Sequence, residues 1–200
     1  MSEVQMTSQS HLLLTKYNGT FTAEQARDEG FESKQLSRLV QNNLIQRVAP
    51  GIYTDPAQLE DSYLIAQLRF AKCVFCGETA LSLYDMTDKT PGSLEMNFPR
   101  GYHARQLENE NIHASYQIDR LWRMGITTAS TIYGNEVQVY SPERTICDIV
   151  RARQRIEAEV VRNALQAFAQ RRDKDLNLLM VYAAELRVER AMTEYIGVLL

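Results

Sequence analysis

The chain has 200 residues, 44% of them hydrophobic and 24% charged, with a formal net charge of −3. This is the composition of an ordinary globular chain, which excludes a disordered or collagen-like class. The small acidic excess also excludes a polyanion binder that works by overall charge, so any nucleic-acid contact has to be local.

From the N-terminus, residues 4–16 have helical apolar spacing through Leu13 and Leu14. Thr22-Ala23-Glu24-Gln25 reads as a capping box, in which the threonine hydroxyl and the glutamine side chain satisfy each other's backbone amides. A helix over about 23–29 follows, stopped by Gly30. Ser33 is the expected cap of a third helix. Leu36, Leu39 and Val40 share one face of it, whereas Lys34, Arg38 and Gln41 point the other way and Gln35 lies on the flank. Asn43 closes this helix, since asparagine tolerates the left-handed conformation. A tight β-hairpin containing Arg47 and Ala49-Pro50-Gly51 comes next, and Asp55-Pro56 marks a domain boundary. The expected domains are therefore 1–56 and 57–200.

Past the boundary, helical patterns at about 58–72 and 77–84 precede strand-like pieces at 93–98, 111–118, 125–131 and 136–141, with Gly134-Asn135 as the turn between the last two. Ser141 caps and Pro142 opens a helix to about 153. Further helices carry the stripes Ile156, Val160, Leu165, Phe168 and Leu176, Leu179, Tyr182. Strands grouped before helices predict an α+β fold for the second domain.

Helix, short turn, amphipathic helix and hairpin in that order form a winged helix-turn-helix pattern. A helix fits the major groove, and a basic hairpin tip reaches the adjacent phosphates. Lys34, Gln35, Arg38 and Gln41 suit base edges or phosphates, and Arg47 suits a phosphate. The same pattern is compatible with a small helical bundle whose third helix is simply solvated, or with a winged domain used for protein contact. Residues 1–56 carry five basic and six acidic side chains, which predicts few phosphate contacts and a shallow salt dependence per monomer. Dimers, cooperativity or the second domain would then have to contribute.

The remaining motifs point away from catalysis. Cys73 and Cys76 have the spacing of half a zinc site, but only Cys147 and the scattered His11, His103 and His113 could complete it, and Val74-Phe75 between them fits a buried segment better. Arg144 and Asp148, four apart on one helix, read as a surface ion pair of a few tenths of a kcal/mol. No phosphate loop, dinucleotide fingerprint, zinc-protease or nucleophile-elbow motif is present. No enzymatic activity, cofactor or metal is expected. Arg151, Arg153 and Arg155 read either as part of a solvated mixed-charge face or as a basic patch for an acidic partner. The longest apolar runs fall far short of the roughly 20 residues of a membrane span. The acidic start offers no signal-peptide core, and an odd cysteine count fits free thiols. A cytoplasmic location is expected.

The run FTAEQARDEGFESKQLSRLVQNNLIQRVAPGIYT resembles the N-terminal winged domain of the AbiEi family, the antitoxins of type IV (abortive infection) toxin-antitoxin systems. CGETALSLYDMTDKTPGSLEMNFPRG and VQVYSPERTICDIVRAR resemble that family's second domain, so the likeness runs from about 20 to 153. The resemblance implies a bacterial, non-enzymatic autorepressor that binds inverted repeats in its own promoter, possible as a homodimer. It also implies opposition to a nucleotidyltransferase toxin without a stable complex being required. By position, Lys34, Gln35, Arg38 and Gln41 match the recognition helix and Arg47 the wing. The family often has a basic residue just before the wing's Gly-Val-Tyr, whereas Ala49-Pro50 precede Gly51-Ile52-Tyr53 here. A stand-alone winged regulator, whose second domain dimerises or senses a ligand, is the alternative.

Overall fold

The computed structural model describes residues 3–102 and 111–199. Its contacts divide the chain into two compact units, Met1–Ala71 with Thr131–Asn135, and Lys72–Ser130 with Glu136–Leu200. The fold is α+β in both, and among the described residues no helix is long and apolar enough to cross a membrane.

The first unit runs α1 (Glu3–Lys16), β1 (Thr20–Thr22), α2 (Ala23–Asp28), α3 (Ser33–Gln41), β2 (Gln46–Ala49), β3 (Ile52–Thr54) and α4 (Ser62–Arg69). Leu13, Phe21, Ala26, Leu36, Leu39 and Ile45 form its core, with the Phe21 and Tyr53 rings stacked at 5.6 Å. β1 was not anticipated, because three residues are too few for a periodicity. It pairs antiparallel with β3, Phe21 opposite Tyr53, giving the order β1-β3-β2. Asp61 is buried and caps α4, accepting from the Tyr63 and Leu64 amides, while its second oxygen accepts from Thr131 Oγ1 at 2.6 Å and Asn135 Nδ2 at 2.9 Å. Four donors on one carboxylate satisfy the acceptor capacity that burial would otherwise leave costly.

The second unit contains β4 (Val74–Phe75), α5 (Gly77–Leu83), β5 (Leu94–Pro99), β6 (Ile112–Gln117), α6 (Asp119–Arg123), β7 (Ile126–Ser130), β8 (Glu136–Tyr140), α7 (Pro142–Ala152), α8 (Ala158–Gln170), α9 (Leu176–Glu185) and α10 (Glu189–Leu199). Its mixed sheet has the order β6-β5-β4-β8-β7, with β4 parallel to β8 and β5 parallel to β6. β7 and β8 are antiparallel from Ile126↔Tyr140 to Ser130↔Glu136, so five residues separate them rather than the Gly134-Asn135 turn alone. Ser141 caps α7 through the Arg144 amide, as the sequence predicts. Ile146, Ile149 and Val150 of α7 pack with Val160, Leu165 and Phe168 of α8, Leu179 and Ala183 of α9 and Met192 of α10. Val74 and Phe75 are wholly buried in the central strand, and burial pushes the Cys73 and Cys147 thiols up to about 12. His103 lies outside the described residues.

Arg144 corrects the sequence reading. Its side chain is 0% exposed rather than on the surface. Nε donates to Asp148 Oδ2 at 3.0 Å, Nη1 to the carbonyls of Leu121 and Met124 at 2.7 and 2.8 Å, and Nη2 to Gln117 Oε1 at 2.7 Å. The guanidinium also lies 4.2 Å from the Tyr140 ring centre. Such burial is tolerated because carboxylate, carbonyls and amide together use the fork's donors. Helical spacing alone placed the pair outside, since an i,i+4 relation says nothing of what covers it. Gly125 is required beside it: its φ is +79°, and a Cβ there would meet the Arg144 Cβ at 2.8 Å. Arg144→Ala, which strands Asp148 and two carbonyls, should lower the unfolding free energy by about 3–5 kcal/mol, measured by urea denaturation.

Candidate nucleic-acid interface

The turn between α2 and α3 is set by two local devices. At the start of α2, the Gln25 amide donates to Thr22 Oγ1 at 3.1 Å and the Thr22 amide to Gln25 Oε1 at 2.7 Å, completing the capping box. At its end, Gly30 has φ +83°, the Phe31 amide donates to the Ala26 carbonyl at 2.9 Å and the Gly30 amide to Arg27 at 2.9 Å. That is the Schellman pattern, with Phe31 buried beyond it.

α3 begins one residue earlier in its capping than the sequence suggests. Glu32, not Ser33, is the N-cap, and its amide donates to Gln35 Oε1 at 2.7 Å. The acidic cap sits at the positive end of the helix dipole. Asn43 ends the helix at φ +55°, with the Leu44 amide on the Leu39 carbonyl and the Asn43 amide on Val40, both at 3.0 Å. This second Schellman turn aims the chain into β2.

Between these caps the helix separates its faces. Leu36 and Leu39 are buried and Val40 half-buried. Lys34, Arg38 and Gln41 are exposed at i, i+4 and i+7, one stripe about 10 Å long. Gln35 is half-buried with its oxygen committed to the cap, so only its amide NH2 remains to reach outward. Two further residues, Ser33, which the sequence suggested only as a cap, and Ser37, also lie exposed on α3, although the Ser37 hydroxyl donates to the Ser33 carbonyl at 2.9 Å. Small polar side chains there carry no charge pattern to single them out.

In the wing, Arg47 is exposed and opposite Tyr53, and the register shifts between Arg47 and Ala49, so Val48 is a bulge. Such an extra residue re-aims its neighbours. The β2–β3 turn holds Gly51 at φ +73°, and its carbonyl accepts from the Ala23 amide at 2.7 Å, which ties the wing to the start of α2. Lys16, by contrast, is paired with Glu29, which also accepts from the Tyr17 hydroxyl, and the Lys16 hydrogen bond holds the Glu29 carboxyl below its usual range. Lys34, Arg38 and Arg47 have no ion-pair partner among the described residues.

The arginines of the second unit are not brought together in one patch. Arg151 and Arg155 line one polar recess; Arg153, whose Nη1 donates to the Val150 carbonyl at 2.9 Å, lines another with Arg187 and Arg190.

Asn43→Gly should leave stability within about 1 kcal/mol of the parent because glycine accepts this φ, whereas Asn43→Val should cost about 1–2 kcal/mol, read from thermal unfolding.

Residues 12–54, which span α2, α3 and the wing, match the model of the family described as "Transcriptional regulator, AbiEi antitoxin". The resemblance seen in the sequence is supported over that segment. No curated protein matches the chain. Among solved structures, the "Crystal structure of RV2827C protein from Mycobacterium tuberculosis" is similar at 13% identity and a TM-score of 0.49, covering 90% of this chain and 81% of that one.

Proposed function

We propose that this chain, with an AbiEi antitoxin regulator segment over 12–54, is a DNA-binding antitoxin and transcriptional autorepressor of a type IV toxin-antitoxin system. The observation that carries the reading is the exposed polar stripe of α3 beside a wing cation, with no ion-pair partner for either among the described residues. Lys34, Arg38 and Gln41 face solvent from a helix whose other side is buried, and Arg47 projects from the adjoining hairpin. A helix so presented enters the major groove, with Arg38 and Gln41 at base edges, Lys34 at a phosphate or base edge and Gln35 contributing its amide NH2 from the flank. Arg47 contacts phosphate from the wing.

The operator is the protein's own promoter, with inverted repeats bound by two copies, and the second unit opposes a nucleotidyltransferase toxin in the cytoplasm, a stable complex not being required. Arg151 and Arg155 on one recess and Arg153 on another give that unit separate cationic positions, rather than one patch, toward an acidic partner. The stand-alone regulator is separated from this reading by the neighbouring reading frame. Co-expression with that frame should show toxicity that this protein relieves, and an innocuous neighbour would leave the regulator alone.

Fluorescence anisotropy with the gene's upstream DNA tests the interface. Specific binding is expected at ~50 mM salt with a shallow salt slope, and its absence would remove both DNA readings. Arg38→Ala should weaken the operator complex by ~1–3 kcal/mol and relax sequence preference, while Arg47→Ala should weaken all sequences about equally. Two variants that bind like the parent would displace the reading head from α3.

A further inference from the structure

The second unit holds a polar cleft of about 530 Å³ that neither the winged interface nor the core accounts for. Strand alternation builds its floor. Leu94, Met96 and Phe98 of β5 lie on one face of the sheet, so Glu95 and Asn97 lie on the other. The parallel register sets His113 beside Glu95 and Ser115 beside Asn97 on that same face. The far wall is the C-terminal part of α7 and the turn after it, with Asp148, Arg151 and Arg155.

Charge is sorted across this cleft. Glu95 reaches in beside Gly77 so closely that a Cβ there would meet its Oε2 at 1.5 Å, and that oxygen accepts from the Glu78 amide at 3.2 Å. Burial nevertheless holds the Glu95 carboxyl above its usual range. Asp148 uses Oδ2 for Arg144. The other oxygen of each, Glu95 Oε1 and Asp148 Oδ1, accepts no hydrogen bond among the described residues. Asn97 is 2% exposed and fixed by Tyr140 and Ser115, so the floor is rigid. At the mouth, Arg151 and Arg155 are exposed with no ion-pair partner among the described residues. Arg151 stands one helical turn beyond Asp148, roughly 5 Å along the axis.

We infer that this cleft binds a small zwitterion, its ammonium or guanidinium head on Glu95 and Asp148 and its carboxylate tail on Arg151 and Arg155. The volume suits such a ligand, and convergent polar groups of opposite sign a turn apart select a molecule carrying both charges over one carrying either. Two carboxylates with a spare acceptor each fit an N–H donor, and two exposed guanidinium groups, neither within salt-bridge distance of a carboxylate among the described residues although Arg151 acts on Asp148 through its charge, fit a carboxylate. The site is independent of the DNA surface.

Isothermal titration of the full chain with L-lysine and 5-aminovalerate, against cadaverine as the cation alone and glutarate as the anion alone, tests this. Saturable binding of at least one zwitterion is expected, with cadaverine and glutarate weaker by roughly tenfold or more. The double variant Arg151→Gln/Arg155→Gln, whose changes are on exposed side chains, should weaken the zwitterion by roughly tenfold while cadaverine binds no more weakly than to the parent. Glu95→Gln should weaken zwitterion and cadaverine alike. No saturable binding of either zwitterion up to about 10 mM overturns the inference, as does binding that all these substitutions leave intact. DNA is absent from the titration, so its outcome stands apart from that of the operator assay.

Discussion

The second unit is organised around a charge with no contact with water. Arg144 issues from the first turn of α7 and ties together a carboxylate of its own helix, two carbonyls around α6 and the amide at the end of β6. A buried guanidinium is stable only if its donors are met, so the chain from Gln117 to Gly125 has to present oxygens to it. That constraint explains α6, a five-residue helix too short to persist alone, whose carbonyls have a fixed recipient. It also explains Gly125, where the backbone passes too close to Arg144 for a side chain. The Tyr140 hydroxyl joins the same network by donating to the Trp122 carbonyl and Asn97. Through Asn97 and Asp148 the network also becomes the floor and wall of the polar cleft.

The winged unit solves a different problem with local means. Its α2 and α3 are short, and the capping box before α2 and the Schellman turns after α2 and α3 supply partners for the end groups that such helices leave open. Because the ends are settled locally, α3 needs only its apolar face for the core, and its other face remains available. The wing is held by backbone pairing to β3 and by the Gly51 carbonyl on α2, so a single cation, Arg47, has a defined position. Lys16 is occupied by Glu29, whereas Lys34, Arg38 and Arg47 have no ion-pair partner among the described residues.

Much of this was legible in the residues. Thr22 and Gln25, Gly30, Asn43, the α3 faces and the Ser141-Pro142 start of α7 were all readable because each signal lies within a turn or two of the structure it produces. The misses have the opposite character. β1, β4 and α6 have three, two and five residues, below the length at which any period shows, and exist through their neighbours. Ser33 seemed the better cap by residue type, yet the extended backbone at Glu32 and the reach of Gln35 placed the cap one residue earlier. Of the candidate interface residues, Lys34, Arg38 and Gln41 stand exposed where helical phase put them and Arg47 stands exposed on β2, while Gln35 is half withdrawn into its own cap.

The sequence by itself determined the starts of α2 and α7, the stops at Gly30 and Asn43, which face of α3 is apolar and that the chain is α+β, since these depend on side chains acting on backbone a few residues away. Only the tertiary structure decided the β6-β5-β4-β8-β7 order, the burial of Arg144 and the placing of Glu95 and Arg151 on one cleft. An i,i+4 pair looks the same on the surface as in a core. What separates the two is the backbone packed over it, here from some twenty residues away in the chain.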